Sequence, residues 1–581
     1  MLEHFETAEF LLTHSLVTAG PIPTAHDPDG VYPYESFCET SRRPSLKEYR
    51  MVTIENARIR VKICPDLGGR VCSIFLKESA TESLYFPNVV RPVRILPRQA
   101  FTGGGIEVSF PISHTPVEIA PVLYSVTKDS GSIYLSCGEK EIRYGMNWTV
   151  EYSLGEEDTF LTQRTVFFNP DAEPHPWMSW SNAGVPARPD TEFHFPNGPV
   201  LAHGGLVRVI DWGTEGPRRQ SDVQRMTGYF WRNPDCCAFG VFTPSLGTGL
   251  YHVADPSAVP GIKLWSDGIG RDEHWVSQYT LDGEQCLEIQ AGPLVDQSIK
   301  DVLQPGQLHY HVEFWIPSAD RRNIREIQLP DPELRPLGDV PLFGWARNQE
   351  VGIWLRLVEA HQAHDPTQVP SPPGLDSNQW AMSGCTELGD ALSWVASFAQ
   401  GNERDRWLFQ HGAWLAGRGE TDAALQVLSQ SADDRAHALS GRLYLYKNDA
   451  RSAAERLRAI KSEAIALHPQ VVVERDRALA SLGRETLEER AQWLAAVSAL
   501  DDEWVAERRA SLLIDKGDLR AALNVLETTR FQLVHQRYER TRLWRQVERA
   551  LGLEPVDCLA WLGEDDLAEF GAYREHPTEG Y

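Results

Sequence analysis

Glu288 and Gln290 stand two residues apart in CLEIQAGPLVD, residues 286–296. If this segment is a strand, alternation sends Leu287, Ile289 and Ala291 to a core and projects Glu288 and Gln290 together from the opposite face. A carboxylate beside an amide can take a proton and hold a hydroxyl. In TGGGIEVSFPISH, residues 102–114, the same alternation buries Ile106, Val108 and Phe110 and leaves Glu107 and Ser109 opposite, behind glycines that permit close backbone approach to a ligand. Glu107 and Glu288 are thus a candidate carboxylate pair. SWSNAGVPARPDTEFHFP, residues 179–196, adds Trp180 and Asn182 near a strand end, followed by Asp190, Glu192 and His194. Rings beside amides and carboxylates suit a pyranose, which has an apolar C–H face and a rim of hydroxyls.

The elements that must position these residues follow from periodicity. From about 45 to 317 the pattern has period two: Ile59, Val61 and Ile63 alternate with Arg58, Arg60 and Lys62, and Tyr310, Val312, Phe314 and Ile316 alternate with His309, His311 and Glu313. His309 and His311 read as a polar outer face rather than as a metal pair, since no third ligand has convincing spacing. Turn signals such as Asn169-Pro170, Asn197-Gly198 and Pro305-Gly306 recur between the strands. The expectation is an antiparallel sandwich over 45–317, preceded by an N-terminal extension, 1–44. Residues 318–378, with PDPELRPLGDVP and HDPTQVPSPPGLDS, read as a connector rather than as strands or long helices.

From 379 to 581 the period becomes 3.6. A unit recurs as GETDAALQVL from Gly419, DARSAAERLR from Asp449, GRETLEERAQWL from Gly483 and GDLRAALNVL from Gly517. Small residues four and five positions after a Gly or Asp turn let paired helices approach, which gives a tetratricopeptide-like array. Such an array offers a surface for a partner or a second subunit, so a homodimer through the helical repeats is expected.

The chain has 581 residues, 42% hydrophobic and 24% charged, with a net charge of −25, pI ≈ 5.2 and mean hydropathy −0.35. These values suit a soluble protein with at least two cores. The negative balance disfavours nucleic acid and anionic membranes as partners. Nine cysteines without regular spacing suit a reducing compartment, and the acidic start MLEHFETAEF is unlike a signal peptide. The expected location is the cytoplasm, with no metal and no cofactor.

CLEIQAGP, then PGQ and EFW, resembles the end of the galactose mutarotase-like fold, whose members carry a catalytic Glu in a CLETQ-type strand ahead of a PGE turn. Glu288 would be that residue. GGGIEVSFP resembles GGIPVCFP of the glucose-6-phosphate 1-epimerase branch, and PDLGGRVCSIF resembles an early strand pair that makes Arg70 a cleft residue. The order LYFPNVVRPV, SWSNAGVP, LEIQAGP, helical repeats and FGAYREH is similar to a bacterial family of uncharacterised mutarotase-like domains fused to tetratricopeptide repeats. The resemblance implies a multidomain β + α chain: a β-supersandwich with a carbohydrate site, followed by helical repeats.

One departure matters. Aldose 1-epimerases place a catalytic His in an NHxYFN-type segment, where this chain has WSNAG. Without that acid, the expectation is a glycoside hydrolase using Glu288 and Glu107, one as acid and the other as nucleophile or base. Arg70, His114, Asn182, Lys263 and Gln290 would hold hydroxyls or tune the carboxylates, with Trp180 and Trp265 as stacking platforms. The alternatives are an aldose 1-epimerase in which His114 or His194 supplies the acid, and a non-catalytic carbohydrate sensor.

Overall fold

The computed structural model describes residues 2–553 apart from short stretches, chiefly 27–30, 204–207, 270–279 and 498–501. FGAYREH therefore lies outside the described residues. The N-terminal half is an antiparallel sandwich. Its 13-stranded sheet includes, in spatial order, Pro199–His203, Thr227–Trp231, Gly261–Ser266, Cys286–Gly292, Ser181–Pro186, Gly105–Val108, Arg70–Leu76, Ile59–Cys64, Ser45–Glu55 and Glu3–Thr13. An 8-stranded sheet packs against it and runs from Leu123–Asp129 through Leu161–Phe168 and Leu308–Ser318 to Glu192–His194. Ile106, Ala183, Leu264, Leu287 and Ile289 face the interior between the sheets, as the alternation requires.

Three expectations are corrected. Glu3–Thr13 is no extension: all eleven of its residues pair with Ser45–Glu55, so the first sheet begins at the third residue. The connector contains a helix, Gln349–Gln362, whose Val351, Trp354 and Leu357 are buried. The strand Leu308–Ser318 alternates as expected but faces the other way: Tyr310 is 52% exposed, whereas His311, Glu313 and Trp315 are buried.

The inward-facing polar set is held together by bonds among its own members, although Nδ1 of His252 and of His311 stays unbonded. Gln163 Nε2 and Ser181 Oγ each donate to Glu313 Oε2 at 2.7 Å. His252 Nε2 lies 3.2 Å from Glu313 Oε1, and His311 Nε2 lies 3.5 Å from Oε2. Trp315 Nε1 donates to Gln163 Oε1 at 3.1 Å. Burial alone would raise the Glu313 carboxyl, but its bonds to the two histidines and their charges outweigh that and hold it down to about 2.

The helical half pairs Gly401–Gly417 with Thr421–Leu428, Asp434–Tyr446 with Ala450–Arg458, Pro469–Leu482 with Leu487–Ala496, and Glu503–Lys516 with Leu519–Thr528. Each recurring sequence unit leads into the second helix of a pair. Asp449 and Asp518 cap theirs by accepting from the Ser452 and Ala521 amides. Ala424, Ala453, Ala454 and Ala522 are fully buried where the helices meet.

Sandwich and helices share one core, which joins Val52, Leu135 and Trp148 to Met382, Trp407 and Leu439. Backbone bonds run across it: Lys140 N–H donates to Gly344 O and Gly384 N–H to Ile142 O, both at 2.9 Å. Tyr32 Oη donates to Ala381 O at 2.6 Å, and the Arg442 guanidinium donates to Pro23 O. Residues 22–25 and 31–34 thus lie against the helices although they precede most of the sandwich. No helix among the described residues is long and apolar enough to cross a membrane.

Candidate functional site

Strand register decides which side chains share the outer face of the 13-stranded sheet. Glu107 pairs with Asn182, Asn182 with Gln290, and Gln290 with Lys263. Directly paired residues point to the same side, so these four make one row across four strands. The next row on that face runs Gly105, Gly184, Glu288 and Trp265. Gly184 makes room there: a Cβ on it would stand 2.5 Å from the Gly104 Cα. The glycine-rich turn therefore packs directly onto the sheet beside Glu288.

His114 enters from the segment after Gly105–Val108. Its Nδ1 lies 2.6 Å from Glu107 Oε2, and the Thr115 amide donates to Glu107 Oε1 at 2.7 Å. Asn182 Nδ2 adds a bond to Oε2 at 3.2 Å. Burial works against a charged imidazole, yet the charge and hydrogen bond of Glu107, helped by the charges of Glu118 and Glu288, hold His114 up to about 9. Burial likewise opposes the Glu107 carboxylate, but His114, Arg70 and the Thr115 amide outweigh it and keep Glu107 below its ordinary range. At neutral pH this is an imidazolium clamped by a carboxylate.

Arg70 pairs with Glu118 and also donates to Gly104 O. The Thr102 amide donates to Glu118 Oε1 at 3.0 Å. Burial and the Glu107 charge push Glu118 up to about 8 despite Arg70. Glu107, His114 and Glu118 offer ligand atoms within 4.8 Å of one another, a grouping of the kind that holds metal ions. The donor set does not favour a cation: Nδ1 of His114 is engaged with Glu107, and Arg70 already supplies positive charge to Glu118.

The structure redistributes the expected roles. Glu107 is 4% exposed with both oxygens bonded to protein, His114 on one and the Thr115 amide on the other. Trp180 is fully buried, edge-on to Phe230, with no ring face to offer a sugar. Lys263 is 5% exposed, and its Nζ donates to Gln297 Oε1 at 2.6 Å, so its amine is engaged within the protein. Burial, opposed by Glu288 and Asp296, brings that amine down to about 8. Asp190, Glu192 and His194 are not brought to this face. Glu192 and His194 belong to the 8-stranded sheet, where Glu192 binds Arg321, and Asp190 binds Ser245.

Glu288, His114 and Trp265 retain accessible surface, with the His114 side chain 17% exposed. Glu118 and Gln297 were missed by sequence reasoning because neither lies on a periodic strand. Three buried polar atoms of the cluster have no protein partner: Asn182 Oδ1, Glu118 Oε2 and Arg70 Nε.

The fold and this face define a two-part protein, a β-sandwich bearing a His114–Glu107 ion pair and continuing into paired helices. The chain belongs to the family described as domain of unknown function DUF5107, whose model matches residues 26–318; a second model, for a C-terminal domain, matches 354–547. Over nearly its whole length it is similar to a TPR-domain containing protein from Parabacteroides distasonis, with 48% identity, 97% of this chain and 98% of that chain covered, and a TM-score of 0.92. Galactose mutarotase-like proteins from Clostridium acetobutylicum (11% identity, 46% of this chain and 95% of that chain, TM-score 0.36) and Lactobacillus casei (14%, 46% and 99%, TM-score 0.34) also match.

Proposed function

We propose that the protein interconverts the anomers of an aldose, with Glu288 as base and His114 as acid. The observation that carries this reading is the His114 imidazolium, held protonated by Glu107 on the same sheet face as Glu288, whose charge reaches it. Glu288 takes the proton of the anomeric hydroxyl while His114 gives its proton to the ring oxygen, and the bond between the anomeric carbon and that oxygen breaks. The open-chain aldehyde turns about its C1–C2 bond. Closure on the other face returns one proton from Glu288 and the other to His114. Glu107 steadies the imidazole in both states as a positioning residue.

The resemblance of CLEIQAGP to the CLETQ-type strand supports Glu288, and His114 supplies the acid missing from WSNAG. The unpartnered polar atoms of Asn182, Glu118 and Arg70 suit the hydroxyls of a sugar, with Trp265 beside Glu288 for its C–H face. A glycoside hydrolase would need a second competent carboxylate, and Glu107 is occupied.

The test is anomeric exchange, followed by polarimetry and NMR on freshly dissolved aldoses, for the wild type and Glu288→Gln. Acceleration above buffer that falls by about 10³-fold in the variant is expected. Wild-type rates equal to buffer would refute the reading, and sugar binding without exchange would favour a sensor. Reducing sugar released from glycosides in a Glu288-dependent way would make it a hydrolase.

A further inference from the structure

Behind Glu288 lies a chain of hydrogen bonds that anomeric exchange itself does not require. Lys263 Nζ donates to Gln297 Oε1 at 2.6 Å, Gln297 Nε2 to Gln290 Oε1 at 3.2 Å, and Gln290 Nε2 to Glu288 Oε2 at 2.7 Å. All four are buried, with Gln290 at 1%, Lys263 at 5%, Gln297 at 8% and Glu288 at 9% exposure. The two ends fix the direction. An ammonium can only donate and a carboxylate can only accept, so each amide has one allowed orientation. Turning either would set two acceptors or two donors face to face.

The turn that carries Gln297 is built for this. It folds back over Gly261, where a Cβ would lie 2.1 Å from Leu294 O. The Trp180 indole packs against the same glycine, and Arg232 ion-pairs with Asp296 next to Gln297. The Lys263 amine is itself enclosed by Phe230 and Trp265, 4.7 and 5.0 Å from their ring centroids.

Resting on the anomerase reading, we infer that Lys263, Gln297 and Gln290 form a one-way relay that holds Glu288 by Oε2 and leaves Oε1 as the oxygen that takes the sugar's proton. Lys263 and Gln297 are positioning residues and touch no substrate. The relay orients the carboxylate as a unit: a break anywhere frees an amide to turn and Glu288 to rotate.

The experiment compares full-length Lys263→Met, Gln297→Leu and the double variant with the wild type, after thermal melting has shown which fold. Lys263→Met places an unbranched apolar chain between Phe230 and Trp265, and Gln297→Leu serves independently should it fail to fold. Each single variant is expected to lose about 10-fold in kcat with KM within about 2-fold, and the double variant to be no worse than the poorer single. A raised KM at unchanged kcat, or losses that multiply in the double variant, would overturn the relay.

A second measurement needs no turnover. Labelling of Glu288 by a water-soluble carbodiimide at pH 6, mapped by mass spectrometry, is expected to run several-fold faster in either variant, because Gln290 freed to turn no longer holds the Glu288 carboxylate in place and it rotates toward the reagent. Equal labelling would overturn the relay even if the wild type anomerises sugars. Faster labelling in the variants of a protein whose wild type turns over no sugar would retain the relay and reject only the function.

Discussion

Two histidine–carboxylate centres lie on opposite faces of the strand Ser181–Pro186. Inward, Glu313 is held by His252, His311, Gln163 and the hydroxyl of Ser181 itself, with no exposed surface on the carboxylate. Outward, Glu107 is held by His114, the Thr115 amide and Asn182, and the imidazole keeps an accessible edge. The residue types are nearly the same. What separates the two is that the outward centre keeps one member in contact with solvent, and that the charge of a second ionisable group on the same sheet face, Glu288, acts on it.

That contrast can be broken from either side. The largest effect on stability is expected from Glu313→Ala, which leaves two buried histidines without their carboxylate and should cost about 3–5 kcal/mol in denaturant unfolding. Anomeric exchange per folded molecule should stay within about 2-fold of the wild type; a selective collapse of activity would show that the inner centre also serves the chemistry. His114→Gln should do the reverse, lowering exchange by about 10²-fold with a far smaller effect on unfolding.

The smallest effects are those of pH, and their signs are opposite. His114 has a folded pKa raised from 6.5 to about 9, so its stabilisation is complete below pH 6.5 and fades as pH rises through about 9. Glu313 is depressed from 4.5 to about 2, so its contribution is present above pH 4.5 and is lost as pH falls through about 2. Melting temperatures measured across both windows should lose the alkaline slope in His114→Gln and the acid slope in Glu313→Ala. If each variant leaves its own slope intact, the assignment of these groups is wrong.

Sequence alternation was enough to place Glu107, Glu288 and Gln290 opposite a core, because a strand has only two faces. It did not say which face is buried when both carry character. Polarity alone sends His309, His311 and Glu313 outward, whereas His311 and Glu313 turn inward because bonding to their neighbours makes their burial tolerable. Nor does period two reveal which strands are neighbours. The row from Glu107 to Lys263 draws on residues spread from 107 to 290 and exists only through sheet order. Gln297 and Glu118 sit in turns, where no repeat marks a residue as facing anything.

The helical repeats were legible in their spacing, since each second helix needs small residues at fixed offsets from its turn. The N-terminal segment was not, because its partners, Ala381 and Arg442, lie hundreds of residues away.

That early segment has a practical consequence for anyone who divides the gene. With Tyr32 and Pro23 fastened to the helices while Glu3–Thr13 is woven into the sheet, the polypeptide passes between its halves before the sandwich is finished. A protease that cuts near residue 330 would leave two fragments migrating as one particle, and expressing either fragment alone would expose a surface that the other half normally covers.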